Sequence, residues 1–146
     1  MKYLKLLWCL IVAAFACPDS FCESAVEIEP SRYSFNDLLD AIAEVESGGD
    51  PNAYNEAEDA VGLFQIRKIY VDDVNRILGR NVFCYADRLD PDESRMMVAV
   101  YLGRYGVCRP IEALARIHNG GPRGWKKKST IPYWEKVKKE LDKGVK

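Results

Sequence analysis

The chain has 146 residues, 48% of them hydrophobic, and its 21 Lys and Arg stand against 22 Asp and Glu for a net charge of −1. This balance fits one compact globular domain and lacks the basic excess that nucleic-acid binding demands. No internal repeat or low-complexity tract interrupts it.

The N-terminus opens with the basic stretch Met1-Lys2-Tyr3-Leu4-Lys5, followed by an apolar run from Leu6 to Ala16 that ends in Ala14-Phe15-Ala16, an A-x-A cleavage pattern. The run is too short to anchor stably across a bilayer, which takes about 20 apolar residues. Residues 1–16 therefore read as a secretory signal peptide, residues 17–33 as a linker arm, and 34–142 as the main domain, with a secreted, periplasmic or extracellular destination. Lipidation at Cys17 is the alternative, and Phe15 argues against it as an unusual residue two places before a lipidated cysteine. Cleavage removes Lys2 and Lys5 and leaves 19 basic and 22 acidic side chains.

The first helix is expected from Ser34 to Glu46. Phe35, Leu38, Leu39, Ile42 and Glu46 follow the i, i+3, i+4 spacing of one helix face, so a carboxylate ends an apolar stripe. Burial disfavours the charged form, and the pKa of Glu46 is expected to be raised, as suits a general acid near neutral pH. Gly48 and Gly49 supply the C-terminal cap. Residues 50–66 carry no helical period and read as a loop or short hairpin beside Glu46. Within it, the acidic run Glu56-Ala57-Glu58-Asp59 reads first as a solvated loop. Gly62 lets backbone approach a ligand closely, and the amide of Gln65 suits an N-acetyl group or a sugar hydroxyl, or else ties the loop to the helix.

Further helices are expected over Lys68–Leu78, Pro91–Tyr105, Pro110–Asn119 and Ile131–Leu141. The Pro91 helix is the best marked: Asp90 is placed to cap it, Pro91 fits its first position, Glu93 has capping-box spacing and Gly106 ends it. His118, the only histidine, shares a face with Ile111, Leu114 and Ala115 and reads as a satisfied core residue. With no second His at ligand spacing, neither a metal nor a cofactor is expected. Asn119-Gly120-Gly121-Pro122 is a helix stop. Trp134, Val137 and Leu141 give the last helix its inner face.

Cys17, Cys22, Cys84 and Cys108 follow the cleavage site, and an exported chain with an even count is expected to hold disulfides. Cys84 and Cys108 are the expected pair, stabilising by about 3 to 4 kcal/mol on the chain-entropy model. Cys17 and Cys22 pair with each other or lie in the arm. Residues 123–146 hold nine basic and three acidic side chains, a tail that reads as a solvated helix face or as attraction to an anionic polymer.

The frame Glu46-Ser47-Gly48-Gly49-Asp50-Pro51-Asn52-Ala53 with Gly62-Leu63-Phe64-Gln65-Ile66 resembles the lytic transglycosylase domain of the lysozyme-like superfamily. The stretch His118-Asn119-Gly120-Gly121-Pro122, with Tyr133-Trp134 after it, is similar to the C-terminal motif of invertebrate-type lysozymes. The resemblance spans roughly residues 34 to 140. It implies a mostly α, lysozyme-like helical bundle, α+β at most, with a loop or short hairpin flanking the cleft and the turn at 118–125 facing it. It implies cleavage of the β-1,4 bond between N-acetylmuramic acid and N-acetylglucosamine in peptidoglycan, with Glu46 as the catalytic acid and Ser47, Gly62, Gln65, His118 and Asn119 lining the substrate.

Hydrolysis of that bond needs a second carboxylate. The position where invertebrate-type lysozymes carry an Asp falls on Asn55, although Glu56, Glu58 and Asp59 lie close by. A lytic transglycosylase needs no such partner, because the substrate's own 6-hydroxyl attacks. The pattern therefore leans to a lytic transglycosylase, with a hydrolytic lysozyme as the alternative and a non-catalytic cell-wall-binding module as the third. Peptidoglycan glycan strands are the expected partner, to the exclusion of nucleic acid and a stable membrane span, and a monomer is expected. Tyr54, Tyr101, Tyr105, Trp125 and Tyr133 are the rings available for stacking on sugars.

Overall fold

The computed structural model describes residues 32–144. The signal peptide, Cys17, Cys22 and nearly all of the arm lie outside the described residues. Among those described, no helix is long and apolar enough to cross a membrane.

Five helices and one small hairpin make up the domain: α1 (Phe35–Ser47), β1 (Tyr54–Asn55), β2 (Ala60–Val61), α2 (Lys68–Leu78), α3 (Pro91–Tyr105), α4 (Ile111–Gly120) and α5 (Ile131–Gly144). Short 3-10 turns at Tyr85–Leu89, Gly124–Lys126 and Lys128–Thr130 join them. The expected mostly α architecture holds, and the region 50–66 is the short hairpin, with Tyr54 paired to Val61 and Asn55 to Ala60 in antiparallel register.

Local chemistry sets the helix ends. Ser34 accepts from the Asp37 amide while the Asp37 carboxylate accepts from the Ser34 amide, a reciprocal capping box that satisfies two otherwise orphan donors. α1 stops at Gly48, which takes the left-handed conformation at φ 65° and returns its amide to Ala43 and Glu44. Asp90 accepts from the amides of Asp92 and Glu93 at the start of α3, one residue before Pro91.

The stripe on α1 does what its period implies. Leu38, Leu39 and Ile42 are buried with Phe64, Ile66, Val71, Val74, Met97, Val98, Leu102, Ile117 and Val137 in one core. α1 packs on α5 and α4, while α3 lies between α2 and α4. Each such apolar side chain taken fully out of water contributes about 1.5 to 3 kcal/mol before chain entropy is subtracted.

Cys84 and Cys108 are not joined. Both are exposed free thiols, and the Sγ of Cys84 lies 3.1 Å from the Asp87 carboxylate in the turn that precedes α3. Cys84 is instead the cap of the turn at Tyr85–Leu89, where its amide also donates to the Asp87 carboxylate at 2.7 Å.

Candidate active site

Glu46 sits in the last turn of α1, and α4 and α5 close over it. Its Oε1 accepts a 2.7 Å hydrogen bond from the Tyr133 hydroxyl of α5. The His118 Nε2 of α4 stands 3.5 Å from the same oxygen. The Glu46 side chain is 21% exposed and that of His118 5%. His118 Nδ1 is buried without a protein hydrogen-bond partner, as is the Tyr70 hydroxyl beside it, the two rings being 5.9 Å apart.

This surrounding reverses the pKa expected from the stripe. Burial is the largest single influence on Glu46 and pushes its pKa up. The hydrogen bond from His118, the charge of that ring when protonated, the hydrogen bond from Tyr133 and the charge of Lys136 together outweigh it, and the net direction is downward. The apolar spacing reported the burial but not the partners, which come from α4 and α5. Tyr133→Phe removes one of those partners and keeps the burial, so the pKa of Glu46 should rise. An acid that must be protonated then works to higher pH, and the alkaline limb of the kcat/KM profile should move upward. A profile that coincides with wild type would remove Tyr133 from the electrostatics of the site.

Glu46 shares a narrow cavity with Glu58, Phe64, Gln65, Ile66, Arg67, Tyr70, His118 and Asn119. A cleft of about 600 Å³ runs on from it along α2 to the 118–122 turn and shares Arg67, Tyr70, His118 and Asn119 with that cavity. Tyr70 and Tyr101 stack at 4.2 Å and both line the cleft, with Arg67, Arg76 and Lys127 also on its walls. The far wall is tied down by Arg116, which donates to Thr130 Oγ1 and the Lys127 carbonyl.

The three candidate second carboxylates separate. Glu58 lines the cavity with Glu46, and its ion-pair contact is a loose 4.0 Å to Arg67. Asp59 is held at 2.9 Å by Lys68, which lowers its pKa. Glu56 is exposed in the hairpin turn and does not line that cavity. Asn55 is a strand residue whose carbonyl accepts from the Glu58 amide.

Other expected site residues serve the frame. The Ser47 hydroxyl lies 2.9 Å from the Leu63 carbonyl and 3.1 Å from that of Ala43, tying α1 to the loop. Gln65 lines the cavity and donates to the carbonyls of Ala53 and Gly62, so its amide also ties the loop together. Gly62 is required for a different close approach from the one expected: at φ 78°, a Cβ there would lie 2.1 Å from the Arg88 carbonyl, so protein backbone and not a ligand takes that space. His118 is not a satisfied core residue, since one nitrogen is orphaned and the other faces Glu46. Among the rings, Tyr101 lines the cleft, Trp125 stacks under Arg109 at 3.9 Å, and Tyr105 is occupied by Asp73. Tyr133 is legible in the sequence as a ring but not as the hydrogen-bond donor to Glu46.

The family model described as transglycosylase SLT domain matches residues 26–140. The chain belongs to this family, within the lysozyme-like superfamily. It is 34% identical to a lysozyme of Magallana gigas, over 81% of this chain and 82% of that one. It is 32% identical to invertebrate-type lysozyme 6 of Caenorhabditis elegans, over 73% and 86%. The inhibitor-bound lysozyme of Meretrix lusoria superposes with a TM-score of 0.60 at 33% identity, covering 70% of this SLT-family chain and 87% of that structure. Like its superfamily, the chain is an enzyme that cleaves glycosidic bonds, and its activity is that of a peptidoglycan-cleaving muramidase.

Proposed function

We propose that the chain is a hydrolytic lysozyme acting on the N-acetylmuramic acid to N-acetylglucosamine bond, with Glu46 as general acid and Glu58 as the second carboxylate. The observation that carries this reading is the presence of Glu58 in the same cavity as Glu46. The transglycosylase reading rested on Asn55 standing where a carboxylate was needed, and a carboxylate three residues further on answers that need. The lysozyme names of the relatives point the same way.

In this reading a glycan strand lies along the cleft, and Asn119 and the Gln65 carbonyl oxygen offer polar contacts to its N-acetyl and hydroxyl groups. Sugar covering the cavity strips remaining water from Glu46 and raises its proton affinity, opposing the pull of Tyr133 and His118. Glu46 then delivers its proton to the glycosidic oxygen. Glu58, ionised, attacks the anomeric carbon or takes a proton from the attacking water. The enzyme works as a monomer outside the cell, exported by its N-terminal segment, without a cofactor.

Mass spectrometry of muropeptides released from purified peptidoglycan tests the choice. Hydrolysis gives reducing ends. Products lighter by one water, the 1,6-anhydro ends, would return the mechanism to a lytic transglycosylase working with Glu46 alone.

A further inference from the structure

Arg88 is 6% exposed, yet among the described residues no carboxylate forms an ion pair with it. Its Nε donates to the Tyr85 carbonyl at 2.8 Å, within its own turn, and its Nη1 donates to the carbonyls of Asp59 at 2.9 Å and Ile66 at 3.0 Å. Burying a guanidinium without a carboxylate in direct contact is costly even though its charge acts across space on the Asp59 carboxylate, and an apolar side chain would fill the space with less penalty. What the charge does achieve is geometric. Its two distant acceptors bracket residues 60–65, which hold β2 and the turn that leads from it to α2.

Asp59 adopts φ 49°, a left-handed conformation that residues with a Cβ populate sparsely. Its carbonyl is held by Arg88 and its carboxylate by Lys68. Glu58 immediately precedes it and has only the 4.0 Å contact with Arg67 to steady its own side chain. The Glu58 side chain is 61% exposed, so what places it at the cavity rim is the backbone it shares with Asp59. We propose that Arg88 is a positioning residue that holds Glu58 at the cavity it shares with Glu46 by clamping the Asp59 carbonyl, an inference that rests on the reading of Glu58 as second carboxylate.

Arg88→Lys keeps the charge but loses the rigid fork that reaches three carbonyls. A displacement of about 1 Å in a reacting group can cost on the order of 10²-fold, so kcat should fall about 10- to 100-fold while KM stays within about threefold. The decisive measurement is the double variant Arg88→Lys/Glu58→Gln. If Arg88 acts through Glu58, kcat of the double variant should match that of Glu58→Gln within about threefold, because residues acting as one unit are not additive. A folded Arg88→Lys with wild-type kcat, or losses that multiply in the double variant, would overturn the proposal. Arg88→Gln takes the place of Arg88→Lys if the latter does not fold, and failure of both to fold would make Arg88 a framework residue only. A wild-type rate in Glu58→Gln alone sinks the reading of Glu58 itself, and is seen before Arg88 is touched.

Discussion

Glu46→Gln is expected to lower peptidoglycan cleavage by about two to four orders of magnitude, the usual cost of losing a general acid. The amide keeps the shape and an oxygen to accept from Tyr133, whose 2.7 Å bond ties α5 to α1, so the fold should persist. What it loses is the transferable proton. It also loses a pH-dependent share of stability. The pKa of Glu46 is lowered in the folded state, so its ionised form stabilises the fold at pH above the ordinary carboxylate range, and that contribution fades as pH falls through the lowered value. Turbidity clearing of cell-wall suspensions and thermal melts across acidic pH would read both effects. A variant that clears suspensions as fast as wild type would show that Glu46 is not the acid.

Glu58→Gln is expected to cost about 10²-fold or more in kcat, the scale of a positioned carboxylate in acid–base or nucleophilic work. Its neighbours supply internal controls. Asp59→Asn should retain most of the activity, because that carboxylate is spent on Lys68 at 2.9 Å. Glu56→Gln should behave as wild type, since Glu56 is exposed and outside the cavity. Turnover of a soluble peptidoglycan fragment, measured for the three variants side by side, separates them. Full activity in Glu58→Gln would leave Glu46 without a partner and favour attack by the substrate's own hydroxyl.

The parts of this molecule that a sequence reader can see are those decided by short-range chemistry. Ser34, Gly48, Asp90 and Pro91 mark helix ends through bonds to residues within five positions, and the expected helix boundaries fall within a residue or two of those observed except at the end of α5. Glu46 was visible for the same reason, standing at the end of a periodic stripe. Its pKa was not, because the groups that lower it arrive from α4 and α5, His118 and Tyr133, the latter 87 residues away. That Glu58 lines the cavity of Glu46 while Glu56, Asp59 and Asn55 do not follows from a turn with a left-handed Asp59 whose carbonyl is held by an arginine 29 residues further on, and neither leaves a mark in the local pattern. Gly62 was recognised as a site of close approach, but the backbone it meets lies at Arg88. Count and compartment suggest pairing the two cysteines, whereas both stand as exposed free thiols and Cys84 is engaged by Asp87 in its own turn.

The hydrogen bond between Glu46 and Tyr133 joins the first helix to the last, and Tyr33 and Asp142 form a second such bond between the same ends. Glu46 therefore acquires this environment only when α5 has docked, which in a chain made from the N-terminus happens after the other described helices have emerged. A molecule in which α5 has swung away retains the residues of the cleft but presents a carboxylate without its hydroxyl partner. Loss of turnover should then precede loss of helical signal on warming, and the enzyme's own rate becomes a gauge of whether its two ends are joined.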